Sequence, residues 1–217
     1  MKIFTNEYGK QIDYKNVEST EQRLCEKWCQ EDDVVLELGA RYGTVSCLVN
    51  DILNDEGKEL HYVVEPDSKV WSCLINNMEM NNCDFHIIKG IIGKKKYSLE
   101  GDGYAMTSVE DDKSTIESFD LPDVPFNTLI LDCEGYMESF YNENKELFSS
   151  TLKKIIFECD YPEKCDYNFL LKELGSLGFI IAEHLVEYGL HFYVLTKNPN
   201  LKVDKFETHY TNKSTLY

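Results

Sequence analysis

The sequence predicts an α/β fold: a mostly parallel sheet of seven strands, closed by an antiparallel hairpin, with helices on both faces. Three observations predict it. From residue 34 onward, short apolar runs alternate with segments whose apolar residues recur at helical spacing, the pattern of parallel strands joined by crossover helices. The first apolar run ends in Glu37 and passes Gly39 and Gly43 into a helical pattern, and the second ends in Glu65. Near the C-terminus, two β-rich runs are joined by only Tyr188 and Gly189. So short a link permits a hairpin and forbids a parallel crossover.

Each element follows in order. Residues 1–32 are polar and read as an N-terminal cap segment ahead of a main domain over 33–197, with 198–217 left as a polar strap or tail. Ser19 with Gln22 fits a capping box, and Leu24, Cys25 and Trp28 share one face of the helix that follows. Strand one leads to a crossover helix carrying Val45, Leu48, Val49, Ile52 and Leu53. Strand two, 61–64, leads to a helix carrying Val70, Trp71, Leu74, Ile75 and Met78. Strand three is 85–88. Residues 94–120, with Gly101 and Gly103, read as a loop with short strands over one face. Strand four, 128–131, ends in Asp132, and strand five, 155–157, ends in Glu158. Tyr167, Leu170, Leu171, Leu174 and Leu177 mark a last amphipathic helix before the hairpin.

The bulk properties narrow the function. A chain of 217 residues suits one domain with a full core. Its net charge of −17 disfavours a nucleic-acid partner, which needs a basic face; Lys94, Lys95 and Lys96 form the one basic run. The eight cysteines form no C-x-x-C pair, so zinc is not expected. The N-terminus lacks the apolar stretch of a secretory signal, and no run is long enough to span a bilayer, so no membrane partner is expected. These features predict a reduced, cytoplasmic protein. Two arginines among 22 basic residues, with many asparagines, suggest an A/T-rich and viral genome, in which case the compartment is the host cytoplasm.

A glycine turn after strand one and an acid closing strand two make a nucleoside site. Backbone approaches the ligand where glycine has no Cβ, and the second acid takes two ribose hydroxyls. A P-loop requires Gly-Lys followed by Ser or Thr, and the turn has no lysine. A dinucleotide turn requires G-x-G-x-x-G to admit a pyrophosphate, whereas here Gly39 and Gly43 are spaced G-x-x-x-G around Arg41 and Tyr42. S-adenosylmethionine has a ribose and no phosphate, so it needs less open backbone. Glu37 suits its α-amino group, and the turn amides suit its carboxylate.

At these residues the chain resembles a known family. VVLELGARYGTVS, VVEPDSKVWSCLINNMEMNN and FNTLILDCEGYMES look like successive motifs of FkbM-type methyltransferases. The third fits the family's acid-x-Glu-Gly motif with Asp132, Glu134 and Gly135, followed by Glu138, and the second carries Asn76, Asn77, Asn81 and Asn82. The resemblance covers roughly 34–196. It implies a Rossmann-like class I methyltransferase fold, S-adenosylmethionine as donor, and O-methylation of a sugar, glycan or other small polyol. Two positions depart from it: Glu37 stands where the family commonly has Asp, and Arg41 where it has Asn. The expected cofactor contacts are Glu37, Gly39, Arg41, Tyr42, Gly43, Thr44, Glu65, Pro66, Asp67 and Asp132.

The catalytic expectation falls on Asp132, Glu158 and Asp160. Strands four and five should be neighbours, about 4.8 Å apart, with their carboxyl ends at the crevice. Carboxylates gathered there need a cation, a shared proton or solvent. Asp132, Glu158 and Asp160 are therefore also the expected ligands of a Mg or Mn ion, with a solvated acidic mouth or a single general base as the alternatives. Of the five histidines (His61, His86, His184, His191 and His209), His191 on the hairpin is the one expected near the crevice. Tyr42, Tyr104, Tyr136, Tyr161 and Tyr188 are candidates to pack on a sugar face. The rival readings are a nicotinamide-dependent oxidoreductase and a non-catalytic domain that binds a nucleoside or a partner.

Overall fold

The computed structural model describes residues 2–53, 60–101, 103 and 106–198. The expected tail beyond Asn198, with His209, and Tyr104 lie outside the described residues. The chain opens with a small antiparallel pair, β1 (Phe4–Thr5) and β2 (Gln11–Ile12), and helix α1 (Ser19–Trp28). Then come β3 (Val35–Leu38), α2 (Thr44–Leu53), β4 (His61–Val64), α3 (Trp71–Met80) and β5 (His86–Ile88). An insertion holds β6 (Ile91–Ile92), β7 (Tyr97–Glu100), β8 (Thr107–Glu110) and β9 (Ser118–Phe119). The second half runs β10 (Thr128–Leu131), α4 (Met137–Glu143), α5 (Lys145–Ser149), β11 (Lys154–Cys159), α6 (Tyr167–Ser176), β12 (Ile180–Glu187) and β13 (Leu190–Thr196).

Seven of these strands form one sheet in the order β12-β13-β11-β10-β3-β4-β5. Only β13 runs against its neighbours. The hairpin is possible because Tyr188 and Gly189 both take positive φ, 53° and 85°, as a two-residue turn between right-twisted strands requires. β3 and β10 are buried at every position, which is why they read as unbroken apolar runs rather than alternating ones.

Both faces are covered. On one, Leu36, Leu38, Leu129, Leu131, Ile155 and Phe157 pack against α4, α5 and α6. On the other, Val35, Ile130 and Ile156 pack against Leu24 and Cys25 of α1 and against Val45, Val49 and Leu53 of α2. Phe4, from the N-terminal pair, is fully buried with Val63, Leu74 and Phe85 in a smaller apolar cluster.

The register sets the site. Leu38 is level with Val64 and with Leu131, and Leu131 is level with Phe157. The residues that follow, Gly39, Glu65, Asp132 and Glu158, therefore stand side by side along one edge. The chain runs from β3 outward to β4 and β5, then returns to β10 on the other side of β3, so this edge holds a topological switch point.

Two local expectations are corrected. The capping box does not form: Glu18 occupies the N-cap with φ 50°, and Gln22 instead donates its amide to the carbonyls of Tyr14 and Val17. A left-handed N-cap turns the preceding chain away from the geometry a Ser-Gln box needs. Strand five does not stop before Glu158. Antiparallel pairing of β13 carries β11 on to Cys159, opposite His191, so Glu158 lies within the strand, opposite Phe192.

Candidate functional site

A cavity of about 530 Å³ opens at the switch point, a size that suits a small organic ligand. Its walls come from the ends of β3, β4, β10 and β11, from the start of α1, from the 91–108 insertion and from the hairpin turn.

On the β3–β4 side, Gly39 has φ 92°, and a Cβ there would sit 1.6 Å from the carbonyl oxygen of Asp132. Glycine is demanded here by the crossing of two chain segments as well as by the turn. Glu65 is buried; its Oε2 accepts the Arg41 amide at 2.7 Å and its Oε1 accepts the Asp67 amide at 2.7 Å. Each oxygen keeps a second lone pair for a ligand hydroxyl. Burial pushes the Glu65 carboxyl up to about 7 despite the two amides. Arg41, at φ 44°, lies over the Tyr42 ring and donates to the Gly103 carbonyl at 2.8 Å, which ties the glycine turn to the insertion. Leu38, Val64, Ile91 and Ile92 supply apolar wall beside them.

Of the expected cofactor contacts, Gly39, Arg41, Glu65, Pro66, Asp67 and Asp132 line the cavity. Glu37, Tyr42, Gly43 and Thr44 do not. Glu37 points to the opposite face of β3, where Ser46 Oγ donates to it at 2.7 Å and His61 Nε2 lies 2.9 Å away. Its strand position alternates with Leu36 and Leu38, so it cannot share their face. The Tyr42 hydroxyl donates to Glu7 at 2.6 Å. A Cβ on Gly43 would meet Leu74 at 2.8 Å, so Gly43 serves helix packing.

On the β10–β11 side the wall is acidic. Asp132, Glu134 and Glu158 line the cavity, and Asp160 lies beside them outside the lining. The proposed trio of Asp132, Glu158 and Asp160 is not one cluster. One group of mutually close carboxylates is Glu21, Asp132 and Glu158, and another is Asp132, Glu134 and Asp160, each with oxygens within 4.8 Å of one another. The end of the strand explains the split: pleating would put Glu158 and Asp160, two apart, on one face, but β11 ends at Cys159, and Tyr167 of α6 donates to Asp160 Oδ1 at 2.7 Å. Burial raises Asp132 well above the carboxylate range, and Glu21, Glu18, Asp160 and Glu134 add like-charge repulsion. The same two causes push Glu134 up to about 8, and burial, a hydrogen bond with Glu21 and neighbouring charge push Glu158 up to about 11.

Glu18 and Glu21, which no motif marks, also line the cavity. Glu18 accepts a hydrogen bond from Thr44 Oγ1, and burial pushes its carboxyl up to about 8. Two acids three apart at a helix start look in sequence like ordinary favourable charge at a helix N-terminus. His191 does not reach the cavity; it stacks with His184, Nε2 of which lies 2.9 Å from its Nδ1. Tyr136 and Tyr188 line the cavity, whereas Tyr161 does not. Within the lysine run, Lys95 pairs with Glu110 at 2.7 Å.

No family model and no curated sequence matches the chain. Among solved structures it is similar to precorrin-6y C5,15-methyltransferase from Geobacter metallireducens, with TM-score 0.53 and 13% identity over 89% of this chain and 93% of that one. It is similar to a protein assigned as an O-methyltransferase from Klebsiella pneumoniae, with TM-score 0.54 and 12% identity over 82% and 79%. It is also similar to ribosomal protein L11 methylase from Lactobacillus delbrueckii subsp. bulgaricus, with TM-score 0.51 and 12% identity over 90% and 81%. Those proteins are named for different acceptors, and the likeness is one of fold: the chain has the Rossmann-like fold of class I methyltransferases.

Proposed function

We propose that this protein is an S-adenosylmethionine-dependent methyltransferase that acts on a hydroxyl of a sugar, glycan or related polyol, as its likeness to FkbM-type sequences implies. The observation that carries the reading is Glu65. It sits buried at the end of β4, across the turn from Gly39, with both oxygens fixed by backbone amides and still able to accept two hydroxyls. The cofactor's net positive charge suits a cavity lined by Glu18, Glu21, Glu65, Asp67, Asp132, Glu134 and Glu158 against the single guanidinium of Arg41 among its described lining residues. A nicotinamide dinucleotide would bring a pyrophosphate to that acidic wall, and the turn lacks the third glycine.

When bound, the cofactor supplies a methyl group already activated by its sulfonium. What remains is to align an acceptor oxygen and remove one proton. In this reading Asp132 takes the proton, supported by its position in the cavity lining beside the Gly39 turn. Glu158 stands within 4.8 Å of it as the second candidate. Asp160 lies off the wall, so its part is to act on Asp132 rather than on the acceptor. A second reading, methyl transfer to an amine, is favoured by the same excess of carboxylates, which would hold an ammonium group. Transfer of labelled methyl from S-adenosylmethionine to a panel of sugars, glycans and polyamines tests both. Label on hydroxyls supports the proposal, label on amines alone replaces it with the second reading, and no transfer to any acceptor contradicts both.

A further inference from the structure

Outside the cavity lining, a cation sits against a thiol. Cys47 of α2 and Cys83, just ahead of β5, share the apolar cluster that contains Phe4, Leu74 and Phe85. Lys2 Nζ lies 3.5 Å from the Cys83 sulfur. The same ammonium donates to the Cys47 carbonyl at 2.9 Å and pairs with Asp51 of α2 at 2.9 Å, so it is fixed over both cysteines. The two side chains hydrogen-bond, with the Cys47 thiol donating to the Cys83 sulfur. That bond and burial keep the proton on Cys47, and the charge of Glu37 on β3 adds to them. On Cys83, the Cys47 hydrogen bond and the Lys2 charge outweigh burial and the Asp51 charge, and bring the thiol down to about 7. The carbonyls of Cys47 and Asn81, 3.7 and 3.6 Å from the same sulfur, accept from it while it is protonated. Cys25 and Cys29, one turn apart at the end of α1, are the contrast. Their hydrogen bond and burial push Cys25 up, and the carboxylates Glu37 and Glu21 add to the rise.

We propose that Cys83 and Cys47 form a redox-modification site for hydroperoxides, in which Cys83 attacks, Cys47 resolves and Lys2 stabilises the attacking sulfur. The thiolate is the nucleophile in such chemistry, and a thiol that titrates near ambient pH combines thiolate abundance with nucleophilicity. Cys83 is 8% exposed and Cys47 is fully buried, so a small peroxide meets Cys83 first. The Cys83 sulfur bonds to one peroxide oxygen as the O–O bond breaks. With hydrogen peroxide the leaving hydroxide takes from solvent the proton that Cys83 had released, and Cys83 becomes a sulfenic acid. The Cys47 sulfur then bonds to the Cys83 sulfur as the S–O bond breaks, and the Cys47 proton leaves with the hydroxyl as water. Two thiols are oxidised by two electrons to one disulfide, and one peroxide is reduced to two waters. A small thiol reductant reverses the change by exchange. The disulfide would tie α2 to the segment entering β5, one turn beyond Gly43, whose carbonyl accepts the Cys47 amide at 2.9 Å.

The site does not rest on methyl transfer, so it is tested on the full chain with neither cofactor nor acceptor present. Hydrogen peroxide in slight excess at neutral pH, followed by thiol blocking and peptide mass spectrometry, should give a Cys47–Cys83 disulfide ahead of any other cysteine product, Cys25–Cys29 included. Dithiothreitol should remove it. The rate should climb through about pH 7 and then level off, as the Cys83 thiolate forms. Lys2→Gln, at a partly exposed position, should slow the reaction at neutral pH about ten-fold and move the climb to higher pH. In Cys47→Ser, dimedone should trap Cys83 as its sulfenic acid. Absence of the Cys47–Cys83 disulfide in the unaltered protein, or earlier oxidation of Cys25 and Cys29, would overturn the proposal. A rate and pH profile left unchanged by Lys2→Gln would overturn it too.

Discussion

Glu65 is the residue on which the cofactor reading turns, and its environment gives a specific expectation. Its two oxygens are fixed by the amides of Arg41 and Asp67 and face the cavity from a buried position. Glu65→Ala should therefore lose a paired contact to ribose hydroxyls worth roughly 1.5–3 kcal/mol, or about ten-fold or more in affinity for S-adenosylhomocysteine by calorimetry. Unchanged affinity would remove Glu65 from the site. Gly39 tests structure rather than ligand: a Cβ 1.6 Å from the Asp132 carbonyl cannot be accommodated without moving β3 or β10. Gly39→Ala should cost about 3 kcal/mol of folding stability in urea titration, and a smaller loss than about 1 kcal/mol would show that the two segments separate easily. Asp132→Asn removes the proposed proton acceptor and should abolish turnover while S-adenosylhomocysteine still binds; full activity in that variant would reduce the acidic cluster to a solvated rim.

The elements were legible where periodicity was undisturbed. β3, β4, β10 and the hairpin were set by unbroken apolar runs and by a link of two residues, and short-range chemistry suffices for both. What was not legible depended on partners distant in sequence. Glu158 was read as the end of its strand because the extension of β11 comes from pairing with β13, more than thirty residues later. Glu37 was read as a ligand because an acid beside a glycine turn is a common motif, but pleating sends it to the other face, toward Ser46 and His61. Glu18 and Glu21 were missed because α1 precedes the first central strand and nothing local shows that it lies over the crevice. A further test sits at this scale. Lys154 at the start of β11 and Asp33 before β3 form a buried pair at 2.5 Å. Lys154→Met leaves Asp33 buried without its cation and should destabilise the protein by about 3–5 kcal/mol in urea titration. A cost below 1 kcal/mol would mean that water readily replaces the lysine.

Over the whole molecule, the site is a concentration of carboxyls that folding holds away from water. Glu65 is raised to about 7 and Glu18 and Glu134 to about 8, against an ordinary value near 4.5. Between about pH 4.5 and 8 the folded protein therefore binds more protons than the unfolded chain, and stability falls as pH rises through that window. The lowered acids, such as Glu183, titrate below that window and do not offset the loss. The ligand-free protein should accordingly melt at a higher temperature at pH 5.5 than at pH 8, and the reverse order would show that these carboxyls are solvated. A cavity built this way should reward a cationic nucleoside, whose charge favours the ionised carboxylates, and no helix among the described residues is long and apolar enough to cross a membrane. The most direct test of the central claim is the melting midpoint at neutral pH with saturating S-adenosylhomocysteine or NAD. The account predicts a clear rise with S-adenosylhomocysteine and none with NAD. A rise with NAD alone, or with neither, would contradict it.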